Sequence, residues 1–257
     1  MKTVLIPLPH KDFDPTEVAI PWKILISHQI KIVFSTPDGK KSVCDQIMLT
    51  GKGLGLLAPL LQADSNARSA YNEMFLSAEF NNPIPWSDIN KNNFDGLLLP
   101  GGHDKGMREY LESKLLQNEV VKFFTQNKPV GAICHGVILA ARSKDDSGKS
   151  VLFERKTTSL LQSQELTAWT LTCLWLKDYY LTYPITVEAE VKSCLANQNN
   201  FISGPTPLFR DSSQNLNRGF VVKDGNYISA RWPGDAHRFA HEFLTLFETQ
   251  TNPKGAV

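Results

Sequence analysis

The stretch Pro129–Ala141, Pro-Val-Gly-Ala-Ile-Cys-His-Gly-Val-Ile-Leu-Ala-Ala, constrains this chain more than any other. Its first half is short, apolar and β-capable. Its second half, rich in Ala and Leu, reads as a helix. Between them Cys134 stands among small residues, the pattern of a nucleophile elbow, in which a strand ends, the chain turns sharply and a helix begins. Small neighbours are required because the turn brings backbone against backbone. The usual elbow has Gly two residues on either side of the nucleophile; here Ala132 replaces the first and Gly136 keeps the second. A thiol at a helix N-terminus meets the positive end of the macrodipole, which predicts a stabilised thiolate. The N–H of the next residue is placed to hold an oxyanion. The plain alternative is a buried cysteine that ends a core strand as a small hydrophobe.

The segments before the elbow predict what it is built into. Thr3–Leu8 reads as a buried strand, Thr16–Ile26 as a helix and Ile30–Ser35 as a second strand, closed by the turn Thr36-Pro37-Asp38-Gly39. Such a β-α-β unit makes a parallel pair with a right-handed crossover. Leu97–Leu99 is a further buried strand, ending in Pro100-Gly101-Gly102-His103-Asp104, and a helix over Met107–Thr125 leads to the elbow strand. The alternation predicts an α/β fold with a doubly wound, mostly parallel sheet, whose ligands bind at the carboxyl ends of the strands. Glu17, Gly101, Gly102, Cys134 and His135 then share one crevice. Each has a bland reading as well. Glu17 suits the first turn of any helix, Gly101-Gly102 suits a plain turn, and His103 suits a hydrogen-bonding loop.

Residues 43–93 are the least regular part and read as an insert. Its Gly51-Lys52-Gly53-Leu54-Gly55 lacks the ending of a phosphate loop, and a helix spans 65–80. Beyond the elbow, Val151-Leu152 and Thr157-Thr158 look strand-like, and Gln162–Leu176 is helical. Glu165, in the first turn of that helix, either complements the macrodipole or orients a histidine that must be held in one tautomer. The aromatic run 178–184 points to packing or a subunit contact. Residues 219–230 form a hairpin, Asp235 is placed to cap a last helix to Glu248, and 249–257 reads as a frayed tail.

The chain has 257 residues, 42% of them hydrophobic, enough for one sizeable core. Its net charge of +1 gives no basis for a nucleic-acid groove or a polybasic membrane surface. The four cysteines, Cys44, Cys134, Cys173 and Cys194, form no C-x-x-C pair. With no apolar run of spanning length, a reduced, cytoplasmic setting is expected.

Taken together, Glu17 after the first strand, Leu-Leu-Leu-Pro-Gly-Gly-His, Ala-Ile-Cys-His-Gly and the closing Asp-Gly-Asn-Tyr and Ala-Arg-Trp-Pro-Gly-Asp segments resemble the PfpI superfamily. This is the class I glutamine amidotransferase-like fold that also contains the parkinsonism-associated deglycase. The resemblance covers most of the chain. It implies one domain over 1–257, a flavodoxin-like three-layer sandwich with the insert at about 43–93, and a homodimer. His135 after the nucleophile is similar to the chaperone-like, glutathione-independent glyoxalase branch, in which an acid about thirty positions on partners the histidine; here that is Glu165. The activity implied is conversion of a small reactive aldehyde, methylglyoxal, to lactate. Cys134 is the nucleophile, Glu17 and His135 move protons, Glu165 orients His135, and Gly101, Gly102 and His103 form the oxyanion and substrate side. No metal and no added cofactor is implied. Alternatives are another hydrolase, hydratase or peptidase on the same site, or a redox-responsive, chaperone-like stress protein. A glutaminase is not expected, because the His-Glu pair available, His241-Glu242, is adjacent rather than spaced.

Overall fold

In the computed structural model, which describes residues 1–251, the strands are β1 (Thr3–Pro7), β2 (Lys11–Phe13), β3 (Lys31–Thr36), β4 (Val43–Cys44), β5 (Ile84–Pro85), β6 (Gly96–Leu99), β7 (Val130–Ile133), β8 (Val221–Asp224) and β9 (Tyr227–Ala230). Seven of them form one sheet in the order β5-β3-β1-β6-β7-β9-β8, parallel except for β8, which pairs antiparallel with β9. β1, β6 and β7 are almost wholly buried runs of Val, Leu, Ile and small residues, as strands covered on both faces must be. The helices Pro15–Ser27, Ser65–Leu76 and Ala236–Thr251 pack together as one layer, and Met107–Leu111, Lys114–Thr125 and Gly136–Arg142 as the other. This is the doubly wound, flavodoxin-like α/β fold.

Register fixes the working edge of the sheet. Leu99 of β6 lies beside Ala132 of β7, and Ile133 lies beside Ala230 of β9. The residues that follow these strands, Gly101, Cys134 and Arg231, therefore emerge side by side at the carboxyl edge.

The insert is knitted into this frame. β4 pairs parallel with β2 in a separate two-stranded ladder, and β5 joins the main sheet as its edge strand against Ser35 and Thr36. Three other expectations fail for local reasons. Val151 and Leu152 lie in turns, and Thr157 makes only an isolated bridge to Phe201. The 107–125 helix breaks between Leu111 and Lys114, where the Ser113 hydroxyl caps the second segment at Leu116 N–H. Asp235 does not cap the last helix, because Arg231 takes its carboxylate through two guanidinium bonds of 2.9 and 3.0 Å. Asp211 accepts from His237 N–H and Arg238 N–H instead. The tail expectation lies outside the described residues from 252 on. Among the described residues, no helix is long and apolar enough to cross a membrane.

Candidate active site

The elbow is formed. Cys134 follows β7 with φ +56°, a left-handed conformation that costs a non-glycine residue about 1–2 kcal/mol. It is held there from both sides. Cys134 N–H donates to Ala230 O at 3.1 Å, extending the β7–β9 pairing. A Cβ at Gly136 would lie 2.1 Å from the carbonyl oxygen of Leu99, so only glycine lets the helix start against the end of β6.

Glu17 comes from the first turn of the Pro15–Ser27 helix. That turn is fixed by Asp14, whose Oδ1 accepts from Thr16 N–H (2.8 Å) and Glu17 N–H (3.0 Å). The Glu17 side chain is fully buried, and its Oε2 accepts from Gly101 N–H at 2.8 Å. Burial, reinforced by neighbouring Asp14, pushes its carboxyl well above the usual carboxylate range, against the pull of the Gly101 N–H. The shift favours the neutral acid over the carboxylate. Glu17 lies against the Cys134 thiol, and each affects the other's titration.

The thiol itself is 6% exposed, and burial followed by the charge of Glu17 pushes it well above the ordinary thiol value. Desolvation thus works against the thiolate expected from the elbow. The His135 N–H pulls the other way, but the elbow helix is only seven residues long and cannot offset the desolvation.

His135 is buried, and burial, with His103 and Arg142 nearby, pulls its imidazole down to about 3. It is neutral, and its tautomer follows from its partners. Thr182 Oγ1 has one proton, which it donates to the carbonyl oxygen of His103. At 3.0 Å from His135 Nε2 it can therefore only accept, so Nε2 carries the ring proton. Nδ1 is left as a bare acceptor, 3.4 Å from Cys134 Sγ. The result is one directed chain: thiol to imidazole, imidazole to Thr182, Thr182 to a backbone carbonyl. Two arginines hold Thr182 in place. Arg108 Nε donates to Thr182 O at 2.9 Å, and Arg142 pairs bidentately with Glu190 while donating to Tyr183 Oη.

A cavity of about 390 Å³ opens over Cys134, Glu17, Gly102 and His103. Its far walls are mainly apolar. Among the described residues, no three of His, Cys, Asp and Glu are grouped to hold a metal ion.

Against this geometry, the description ThiJ/PfpI family-like matches residues 8–205. The chain belongs to the ThiJ/PfpI family. This ThiJ/PfpI protein is 26% identical over 167 residues to the deglycase PfpI of Pyrococcus furiosus, covering 64% of this chain and 69% of that one. It is 30% identical over 115 residues to an uncharacterised Schizosaccharomyces pombe protein, of whose length the match spans 42%. The solved structure of the Francisella tularensis Rapid Encystment Protein is similar with TM-score 0.70 at 20% identity, covering 96% of this chain and 99% of that one. Glyoxalase III of Candida albicans follows with TM-score 0.66 at 18% identity, covering 95% and 97%. These likenesses show the fold.

The ThiJ/PfpI fold brings Cys134, His135, Glu17, Gly101, Gly102 and His103 to one place, in roles that differ in part from the expected ones. Gly101 N–H is spent on Glu17. Gly102 N–H has no acceptor among the described residues, and the His135 N–H points at the sulfur. His103 is stacked on Tyr180 with ring centroids 4.5 Å apart, and burial pulls it down to about 4. Glu165 lines the same cavity but does not orient His135. Both ring nitrogens of that histidine are already engaged, and Glu165 Oε2 accepts from Val187 N–H at 2.9 Å. Thr182 takes the orienting place. It sits inside the aromatic run 178–184, which packs internally against His103, Arg108 and Arg142, and no local pattern singles it out. Arg210 and Trp232, also on the cavity wall, carry buried N–H groups with no acceptor, Nη1 and Nε1.

Proposed function

We propose that this protein is a cysteine-dependent enzyme acting on α-oxoaldehydes, a glutathione-independent glyoxalase that isomerises and hydrolyses them to 2-hydroxy acids. The observation that carries this is a thiol standing 3.4 Å from His135 Nδ1, a base for its proton, on one side and against the buried Glu17 carboxyl, which burial favours as an acid, on the other. Addition of a thiol to an aldehyde needs both. As Sγ attacks the aldehyde carbon, its proton passes to His135 Nδ1, and Glu17 gives its proton to the aldehyde oxygen. The product is a neutral hemithioacetal, with Glu17 now a carboxylate beside the former aldehyde C–H. Glu17 takes that proton and returns it to the adjacent carbon, while the hydroxyl proton of the first oxygen passes to the second and the imidazolium of His135 steadies the intervening enediolate. A thioester results; the Glu17 carboxylate deprotonates the water that adds to it, and the His135 imidazolium returns its proton to the departing sulfur, which releases the 2-hydroxy acid and restores the thiol, the neutral imidazole and the protonated Glu17.

The N–H groups of Gly102 and His135 supply donors to the oxygen that gains charge. Arg210 Nη1 and Trp232 Nε1 are donors for the second oxygen of a dicarbonyl. The same thiol and acid would serve a deglycase, as the Pyrococcus relative is named. Purified protein is expected to form lactate from methylglyoxal without glutathione, and Cys134→Ala to reduce the rate to background. Background rates in the native protein, or full rate in Cys134→Ala, would refute the proposal.

A further inference from the structure

Resting on that dicarbonyl chemistry, we infer that the substrate carries an apolar chain or ring several carbons long, and that the cavity beside Cys134 is the pocket for it. Its volume, about 390 Å³, falls in the range of about 300–1,000 Å³ that encloses ligands of drug size. A dicarbonyl as small as methylglyoxal would leave most of it to water. Away from Cys134 most of the wall area is apolar, with Leu60, Leu61, Leu160, Ala168, Leu171 and Leu208 outweighing polar Ser163, Gln164, Thr167 and Thr206, and the leucines offer water no hydrogen-bond partners from their side chains.

These leucines are not a core left half closed. Leu60 is 60% exposed, Leu171 44% and Leu208 71%, whereas the core leucines of β1 and β6 are shut from solvent. Apolar surface gathered around an open mouth is the mark of a ligand site. Polar cross-ties hold the walls apart. Arg210 Nη2 donates to Gln62 O at 3.1 Å, tying the 206–210 segment to the Leu60–Leu61 turn. Trp175 Nε1 donates to Gly53 O at 2.8 Å, tying the Gln162–Leu176 helix to the insert. Both bonds fix the segments that carry the leucines. The pocket is therefore formed before anything enters it, with the thiol at one end and the leucine rim at the other.

The test has two arms. The first compares kcat/KM for methylglyoxal, n-propylglyoxal, n-hexylglyoxal and phenylglyoxal. Burying a methylene is worth about fourfold, so n-hexylglyoxal should exceed methylglyoxal by about 100-fold or more, and phenylglyoxal should rank with it. The second arm measures binding of propane-1,2-diol, hexane-1,2-diol and octane-1,2-diol by calorimetry, which needs no turnover and should show the same gradient. Leu171→Asp, at an exposed rim position, should reduce the hexyl-to-methyl ratio at least tenfold, and Leu208→Asp provides a second rim variant. Equal kcat/KM across the glyoxals with equal diol affinities would overturn the inference, as would a gradient untouched by both variants. A diol gradient without turnover of any glyoxal would retire the dicarbonyl chemistry and uphold the apolar pocket. Turnover without a gradient in either arm would do the reverse.

Discussion

Replacing Glu165 by Gln separates a structural carboxyl from a catalytic one. Glu165 is 2% exposed, and burial pushes it from 4.5 up to about 7 against the single N–H of Val187. In the unfolded chain the group ionises near 4.5, and in the folded protein near 7. Below 4.5 both states hold the proton. Between 4.5 and 7 only the folded state does, so the contribution to stability that is present at low pH is lost as pH rises through this window. Above 7 the folded protein carries a buried carboxylate at a cost of about 3 kcal/mol. Gln keeps the oxygen that accepts from Val187 and cannot ionise. Glu165→Gln should therefore match the native protein near pH 4, and exceed it by about 3 kcal/mol at pH 8, equivalent to roughly 6–12 °C in Tm for a chain of this size. Urea titrations at several pH values between 4 and 8.5 measure the difference directly. A difference that does not change with pH refutes the assignment. A loss of kcat beyond about tenfold with unchanged unfolding curves would return Glu165 to the side of His135.

Three further outcomes follow from the hydrogen-bond chain and the elbow. Thr182→Val leaves His135 Nε2–H without an acceptor and should reduce kcat about tenfold to a hundredfold with little change in KM, while Thr182→Ser restores it; equal rates in all three proteins would sink the relay. Alkylation of Cys134 by iodoacetamide should still be rising steeply at pH 9 and shift to lower pH in Glu17→Gln, because the carboxylate raises the thiol; a plateau reached by pH 7 would contradict a resting thiol. Gly136→Ala drives a Cβ into the Leu99 carbonyl and should destabilise the fold by roughly 3 kcal/mol or more in urea unfolding; a stable, active variant would mean that the turn has slack.

The parts legible in the sequence are those whose cause is local. The elbow shows because strand, cysteine, small residues and helix are contiguous. Glu17 and Gly101-Gly102 show because both follow strands, and parallel strands deliver their ends to one edge. Thr182 does not show, because its place depends on Arg108, on Arg142 and on the backbone of His103, all distant in sequence. Glu165 misleads for a similar reason. Its spacing from Cys134 suits a histidine partner, but the chain folds back after Leu176 and puts the N-terminus of the Val187–Ser193 helix within its reach. Asp235 and Asp211 exchange roles in the same way, since only the folded chain shows that Arg231 claims the nearer carboxylate. For the thiol the elbow pattern shows the helix N-terminus but not the burial that works against its dipole.

The carboxyl ends of the strands and the first helix turn carry the reactive groups, while the leucine rim hangs from loops and from segments outside the sheet. Arg210, Leu208 and Trp232 even lie beyond residues 8–205, the stretch shared with the family. A lineage can thus re-cut the mouth of this cavity, one loop at a time, without touching the residues beneath. Relatives that keep Cys134 and Glu17 in place need share no taste in what they consume.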